Sequence, residues 1–120
     1  MEVLIADDGL TIRKLLKTYL TNWGYDVVSV SDGNEAWKEL QNPDAPRLVI
    51  LDWLMPGMDG VDVCRKVREL PHGNLFYIII FTSLEDKKDL VTALDAGADD
   101  FIIKSFDKDE LKARVKVGER

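Results

Sequence analysis

The chain has 120 residues, a net charge of −6, 46% hydrophobic residues and one cysteine. That length suits one domain burying roughly two-thirds of its unfolded surface, and the acidic balance, with no Lys/Arg stripe, argues against a nucleic-acid surface. One cysteine excludes an internal disulfide and suits a reducing compartment, and no apolar run approaches the ~18 residues of a membrane span, so a soluble cytoplasmic protein is expected.

Apolar runs that read as strands occur at Val3–Ala6, Val27–Val30, Leu48–Leu51, Phe76–Phe81 and Phe101–Ile103. Segments with helical spacing lie between them. Ile12, Leu15, Leu16, Tyr19, Leu20 and Trp23 step 3, 1, 3, 1, 3, which is one face of an amphipathic helix. Shorter faces follow at Ala36, Trp37 and Leu40, at Val61, Cys64 and Val67, and at Leu90, Val91 and Leu94. Gly97 suits the left-handed residue that closes the helix before it. For the last helix Asp107 is the expected cap, Glu110 completes a capping box, and Phe106 is placed to staple onto Leu111. Strands alternating with helices predict an α/β fold, a doubly wound five-stranded parallel sheet with five helices covering both faces. The runs at 48–51 and 76–81 are the most continuously apolar and are expected at its centre.

The stretch "LVILDWLMPGMDG", residues 48 to 60, sets the functional question. Asp52 ends the most buried strand, where an unpartnered charge is costly. In such sheets ligands bind beyond the carboxyl ends of the strands. Those ends carry Asp7 and Asp8, Asp52, Thr82 and Ser83, and Lys104. Taken singly, each suits a cap, a turn or a solvated side chain. Together at one sheet edge they make a chemical set. Clustered carboxylates repel and call for a hard divalent cation such as Mg²⁺. One carboxylate is left over as a nucleophile, with an ammonium and a hydroxyl to hold phosphoryl oxygens. Asp52 is the best nucleophile, and Asp7 and Asp8 are placed to hold the metal.

These residues, with Phe101 and the spacings of 19 from Thr82 to Phe101 and 22 from Thr82 to Lys104, resemble the receiver domain of bacterial two-component response regulators. The resemblance covers residues 1–120 and implies a flavodoxin-like fold. It implies that Asp52 accepts a phosphoryl group from a sensor histidine kinase or phosphotransfer protein. The domain is then a regulatory acceptor rather than an enzyme that turns over a substrate. Mg²⁺ is implied on Asp8, Asp52 and the backbone carbonyl of Leu54, with Asp7 acting mainly through water. Lys104 is implied to pair with Asp52 and then with the phosphoryl group. Thr82 and Phe101 are implied to be the switch that reports the added charge.

Three rivals are less consistent with the residues. A haloacid-dehalogenase-type phosphatase needs a second acid where Leu54 stands. A nucleotide-binding flavodoxin-like protein needs a Gly-rich loop where "DDGLT" carries acids. A pseudo-receiver has no need of the full acid, hydroxyl and lysine set.

Several finer expectations remain. Ser105 stands where the family has proline after the lysine in a cis peptide. A cis bond before a non-proline residue costs ~2.5–4 kcal/mol, so the Lys104–Ser105 peptide is expected strained, or trans with a rearranged loop. His72 reads as a loop residue, Cys64 as core, Trp23 and Trp37 as packing, and Trp53 as lying near the site mouth. Leu54 and Leu84 occupy the family's two positions flanking the path of an attacking water, which points to slow self-dephosphorylation. "RVKVGER" resembles the connecting helix of receivers joined to an output module, including diguanylate cyclases, so a domain excised from a longer protein is expected, the alternative being a stand-alone receiver. Lys87, Lys88, Asp89, Asp99, Asp100, Lys112 and Arg114 suit either a self-complementary face of a phosphorylation-dependent dimer or a solvated surface, which is the commoner case.

Overall fold

The computed structural model describes residues 1–84, 87–105 and 107–120. The five strands are β1 (Glu2–Ala6), β2 (Asp26–Val30), β3 (Leu48–Asp52), β4 (Tyr77–Thr82) and β5 (Asp100–Ile103). They alternate with α1 (Leu10–Asn22), α2 (Gly33–Leu40), α3 (Gly60–Arg68), α4 (Lys87–Asp95) and α5 (Lys108–Glu119). All strand pairs are parallel, in the order β2-β1-β3-β4-β5. β3 is central, as its apolar run predicts. The order reverses between β1 and β3, which opens a crevice at their carboxyl ends.

The side-chain period of two explains the continuous apolar strands. Val3, Ile5, Leu48, Ile50, Ile79 and Phe81 face one way and meet Leu16 and Leu20 of α1 and Leu111 and Val115 of α5. Leu4, Val49, Leu51, Ile78 and Ile80 face the other way and meet Ala36, Leu40, Val61, Cys64, Val67 and Ala93. Burying each large aliphatic side chain is worth about 1.5–3 kcal/mol, so neither face tolerates a slip of one residue.

Local chemistry sets the helix ends. Asp32, Asp59 and Asp107 each accept a hydrogen bond from a backbone N–H in the first turn they cap. Gly97 has φ of 108°, the left-handed conformation its place predicts. The capping box at α5 is only half made. Asp107 accepts from Asp109 and Glu110 N–H, but the Glu110 carboxylate turns along the helix to Arg114, 3.2 Å away. A salt bridge at i,i+4 competes for the same carboxylate. The expected Phe106 staple lies outside the described residues.

α4 corrects the sequence reading. Leu90, Val91 and Leu94 are exposed, and Ala93 is the residue buried against the sheet. The small alanine lets the helix sit close to the sheet, and the larger apolar side chains are turned outward. α1 behaves similarly in part: Leu16 and Leu20 are buried, whereas Leu15 is exposed. Three residues of the charged face have partners within the chain. Asp99 pairs with Arg68 at 2.8 Å and Asp100 with Arg114 at 3.0 Å. A short 3-10 turn at Gly73–Leu75, after His72, breaks the loop before β4. Among the described residues no helix is long and apolar enough to cross a membrane.

Candidate functional site

The expected residues meet at the carboxyl edge of β1, β3 and β5. Asp7 directly follows β1 and is only 1% exposed. Its Oδ1 accepts from Gly9 N–H at 2.8 Å, and its Oδ2 lies 3.1 Å from Lys104 Nζ. Asp52 is the last residue of β3, paired in register with Phe81, and 5% exposed. Its Oδ2 lies 3.0 Å from Lys104 Nζ. Asp8 is exposed, yet ligand atoms of Asp7, Asp8 and Asp52 all lie within 4.8 Å of one another. Three carboxylates and one ammonium thus share a single site.

Lys104 reaches it by extending the ladder one step past β5, its backbone N–H donating to the carbonyl of Thr82 at 2.7 Å. The Lys104–Ser105 peptide is trans. Without the proline the loop keeps the ordinary peptide, and the ladder bond aims the lysine.

Burial dominates the electrostatics of Asp52. It pushes the carboxyl up, the Lys104 ion pair pulls it back, the neighbouring Asp7 and Asp8 charges push it up again, and the balance leaves it at about 6. Burial pulls Lys104 down, but its contacts with Asp52 and Asp7 outweigh that and leave it raised. The same ion pair therefore favours both charged forms; at Asp52 burial, helped by the Asp7 and Asp8 charges, outweighs it.

The donor set fits a hard divalent cation. Carboxylate oxygens are its preferred ligands, and three sit close enough to share one ion. The buried Oδ2 of Asp7 has its ion pair but no hydrogen bond, so a lone pair remains for a water or an ion. Leu54 follows on the β3–α3 loop, which is pinned at both ends. Gly60 N–H donates to Trp53 carbonyl at 2.7 Å, and Gly33 N–H donates to Pro56 carbonyl at 3.3 Å. A Cβ on Gly60 would collide with the Asp52 carbonyl, so this close return of the loop requires glycine.

Thr82 ends β4, is 1% exposed, and its Oγ1 accepts from Leu84 N–H at 3.1 Å. Ser83 beside it is exposed. Phe101 is half-buried on β5 and stands edge-on to Trp53, with ring centroids 6.4 Å apart. Trp53 is buried in the core beside α3 rather than open at the site mouth. An aromatic ring at this depth packs on Phe101 instead of facing water. Cys64 is buried as expected, and Trp37 packs against the same core.

Arg13 is the contributor that the sequence pattern does not reveal. Its Nη1 donates to the backbone carbonyl of Asp7 at 2.7 Å. Only its place in the first turn of the helix after the acid pair hints at this.

The comparisons agree with this geometry. Residues 3–116 match the family model described as response regulator receiver domain. A probable transcriptional regulator, ycf27, from Porphyridium aerugineum is 42% identical over 96% of this chain and 46% of its own length. The alkaline phosphatase synthesis transcriptional regulatory protein PhoP of Bacillus subtilis is 38% identical over 97% of this chain and 47% of its own length. The chain therefore spans about half the length of these curated relatives. Among solved structures, the BeF3-activated N-terminal receiver domain of Klebsiella pneumoniae RstA matches with a TM-score of 0.90 and 29% identity, covering 100% of this chain and 99% of that one. The receiver domain of the sensor histidine kinase PA1611 from Pseudomonas aeruginosa PAO1, with a magnesium ion in its active-site cleft, matches with a TM-score of 0.88. It is 26% identical, over 98% of this chain and 95% of that one. Sheet order, site edge and near-complete family match converge, and the chain belongs to the receiver domains of two-component response regulators.

Proposed function

We propose that Asp52 is the phospho-acceptor of this receiver, taking its phosphoryl group from a phosphohistidine of a sensor kinase or phosphotransfer protein. The observation that carries the reading is a buried carboxylate at the end of the central strand, 3.0 Å from Lys104 and grouped with Asp7 and Asp8. An Asp52 oxygen attacks phosphorus, an O–P bond forms and the P–N bond breaks. The electron pair leaves with the imidazole, which then takes up a proton. Lys104 is placed to follow the charge from carboxylate to phosphoryl oxygen. Asp8, Asp52 and the Leu54 carbonyl would hold Mg²⁺, and Asp7 would act through water. The bound ion supplies charge neutralisation for the phosphoryl oxygens.

Thr82 and Phe101 form the proposed switch. The Thr82 hydroxyl exchanges the Leu84 N–H for a phosphoryl oxygen, and Phe101 turns inward into the space this vacates. The exposed Leu90, Val91 and Leu94 of α4 would add an apolar surface to the charged residues Lys87, Lys88 and Asp89 named for the face of a phosphorylation-dependent dimer. Residues 1–120 are read as the receiver portion of a longer cytoplasmic regulator. The relatives named as transcriptional regulators favour a transcriptional output over the diguanylate cyclase suggested by the C-terminal residues.

Incubation with acetyl phosphate and Mg²⁺, followed by intact mass measurement, tests the acceptor. One phosphoryl group per chain is expected, and none in Asp52→Asn. Turnover of the phosphodonor without an adduct would instead indicate a phosphatase.

The lifetime of that adduct is a separate expectation. Leu54 is 59% exposed and Leu84 packs partly against the core; neither side chain can hydrogen-bond a water in line with phosphorus. Slow self-dephosphorylation follows. Leu54→Asn combined with Leu84→Glu is expected to shorten the half-life severalfold, roughly 1 kcal/mol on the barrier. An unchanged half-life at matched Mg²⁺ would remove the two leucines from the explanation.

A further inference from the structure

We propose that Arg13 is a positioning residue for the metal site, acting through the peptide between Asp7 and Asp8; the inference rests on the site reading above. Asp7 is held at every polar atom of its backbone and side chain. Its N–H donates to Val30 carbonyl at 3.3 Å, its carbonyl accepts from Arg13 Nη1 at 2.7 Å, and its carboxylate is held by Gly9 N–H and Lys104. Asp8 differs. It is exposed, and among the described residues no hydrogen bond or ion pair holds its carboxylate. Its position therefore depends on the backbone that carries it.

The Asp7 carbonyl belongs to the rigid plane that also contains the Asp8 nitrogen and Cα. Fixing that oxygen fixes the N–Cα bond of Asp8, the base from which its side chain leaves the loop. Arg13 makes this tie from α1, whose first turn is itself closed onto the same loop by Arg13 N–H donating to Gly9 carbonyl at 2.9 Å. The tie is needed because α1 has Gly9 as its N-cap, with no side-chain cap and no acidic residue in the first turn. The cap that would usually anchor a helix start is absent, and a long side chain anchors the loop instead.

The sign of the effect separates positioning from bulk electrostatics. Arg13 is a cation beside a cation site, so Coulomb repulsion alone predicts tighter Mg²⁺ binding when it is removed. Positioning predicts weaker binding. Calorimetric titration of MgCl₂ into the metal-free protein reads the difference directly. Arg13→Met is expected to weaken Mg²⁺ binding five- to tenfold, and Arg13→Lys, which keeps a donor of similar reach, to recover most of it. In an Asp8→Ala background Arg13→Met should change Mg²⁺ affinity less than twofold, since no Asp8 carboxylate is left to place. If Arg13→Met does not fold, Arg13→Gln, too short to reach the Asp7 carbonyl, should show the same weakening. Unchanged or tighter binding in the single variant overturns the inference, as does a full fivefold loss persisting without Asp8. If Asp8→Ala alone binds Mg²⁺ as well as the native protein, the metal-site reading itself fails.

Discussion

Asp52→Asn, a change at the proposed acceptor, is expected to stabilise the metal-free protein at pH 8 by about 3 kcal/mol. The reason is the raised carboxyl. Its pKa moves from an ordinary 3.8 to about 6, chiefly through burial, so the folded chain holds a proton that the unfolded chain releases. The favourable contribution of the protonated group is complete below pH 3.8 and is lost as pH rises through 6. Above that, the folded state carries a buried charge that Lys104 and two neighbouring acids leave under-compensated. The rise from 3.8 to about 6 corresponds to roughly 3 kcal/mol at 1.36 kcal/mol per unit. Asparagine keeps the shape without the charge. Urea unfolding in EDTA at pH 8 and pH 4.5 checks it: the stability gap should be large at the first and small at the second. A variant no more stable than the native protein at pH 8 would mean that Lys104 compensates Asp52 fully. Such a result would also say that the proposed acceptor is not held in tension in the metal-free protein.

Asp8→Ala is expected to weaken Mg²⁺ binding by on the order of 100-fold, equivalent to about 2.7 kcal/mol. Asp8 is the exposed member of the acid trio, and it is the one not committed to an internal contact. Removing it deletes a proposed charged ligand without unpairing Lys104. Two readouts are available. Mg²⁺ should raise the thermal midpoint of the native protein by mass action and barely move that of the variant. Trp53, buried next to Asp52 and edge-on to Phe101, should change its fluorescence with the ion in the native protein. If Trp53→Phe leaves that signal intact, Trp23 or Trp37 is the reporter. Equal affinity in Asp8→Ala would move the metal away from the acid pair. Taken with the first prediction, the native protein should gain most from Mg²⁺ where Asp52 is ionised, above pH 6, because the ion supplies the compensation Lys104 does not.

Strand alternation and the carboxyl-edge residues were legible in the sequence because both are local. A run such as Leu48–Leu51 is apolar on both faces only if both are covered, and that alone implies a parallel sheet between helix layers. Asp7, Asp8, Asp52, Thr82 and Lys104 each follow an apolar run, so the fold rule for strand ends gathers them without any knowledge of distance. The family resemblance added the roles of these residues, which spacing does not contain. What the tertiary structure decided are matters of competition between partners. The outward face of α4 is one: Leu90, Val91 and Leu94 have helical spacing, yet Ala93 wins the place at the sheet because a small side chain allows closer approach. The Glu110 carboxylate is another, taken by Arg114 rather than by its own helix start. Trp53 could face the site or the core, and packing against Phe101 settled it inside. The tie from Arg13 to the Asp7 carbonyl is a contact between a helix side chain and a backbone atom six residues earlier. No residue pattern encodes that choice, because every carbonyl looks alike in a sequence and only three-dimensional reach selects one.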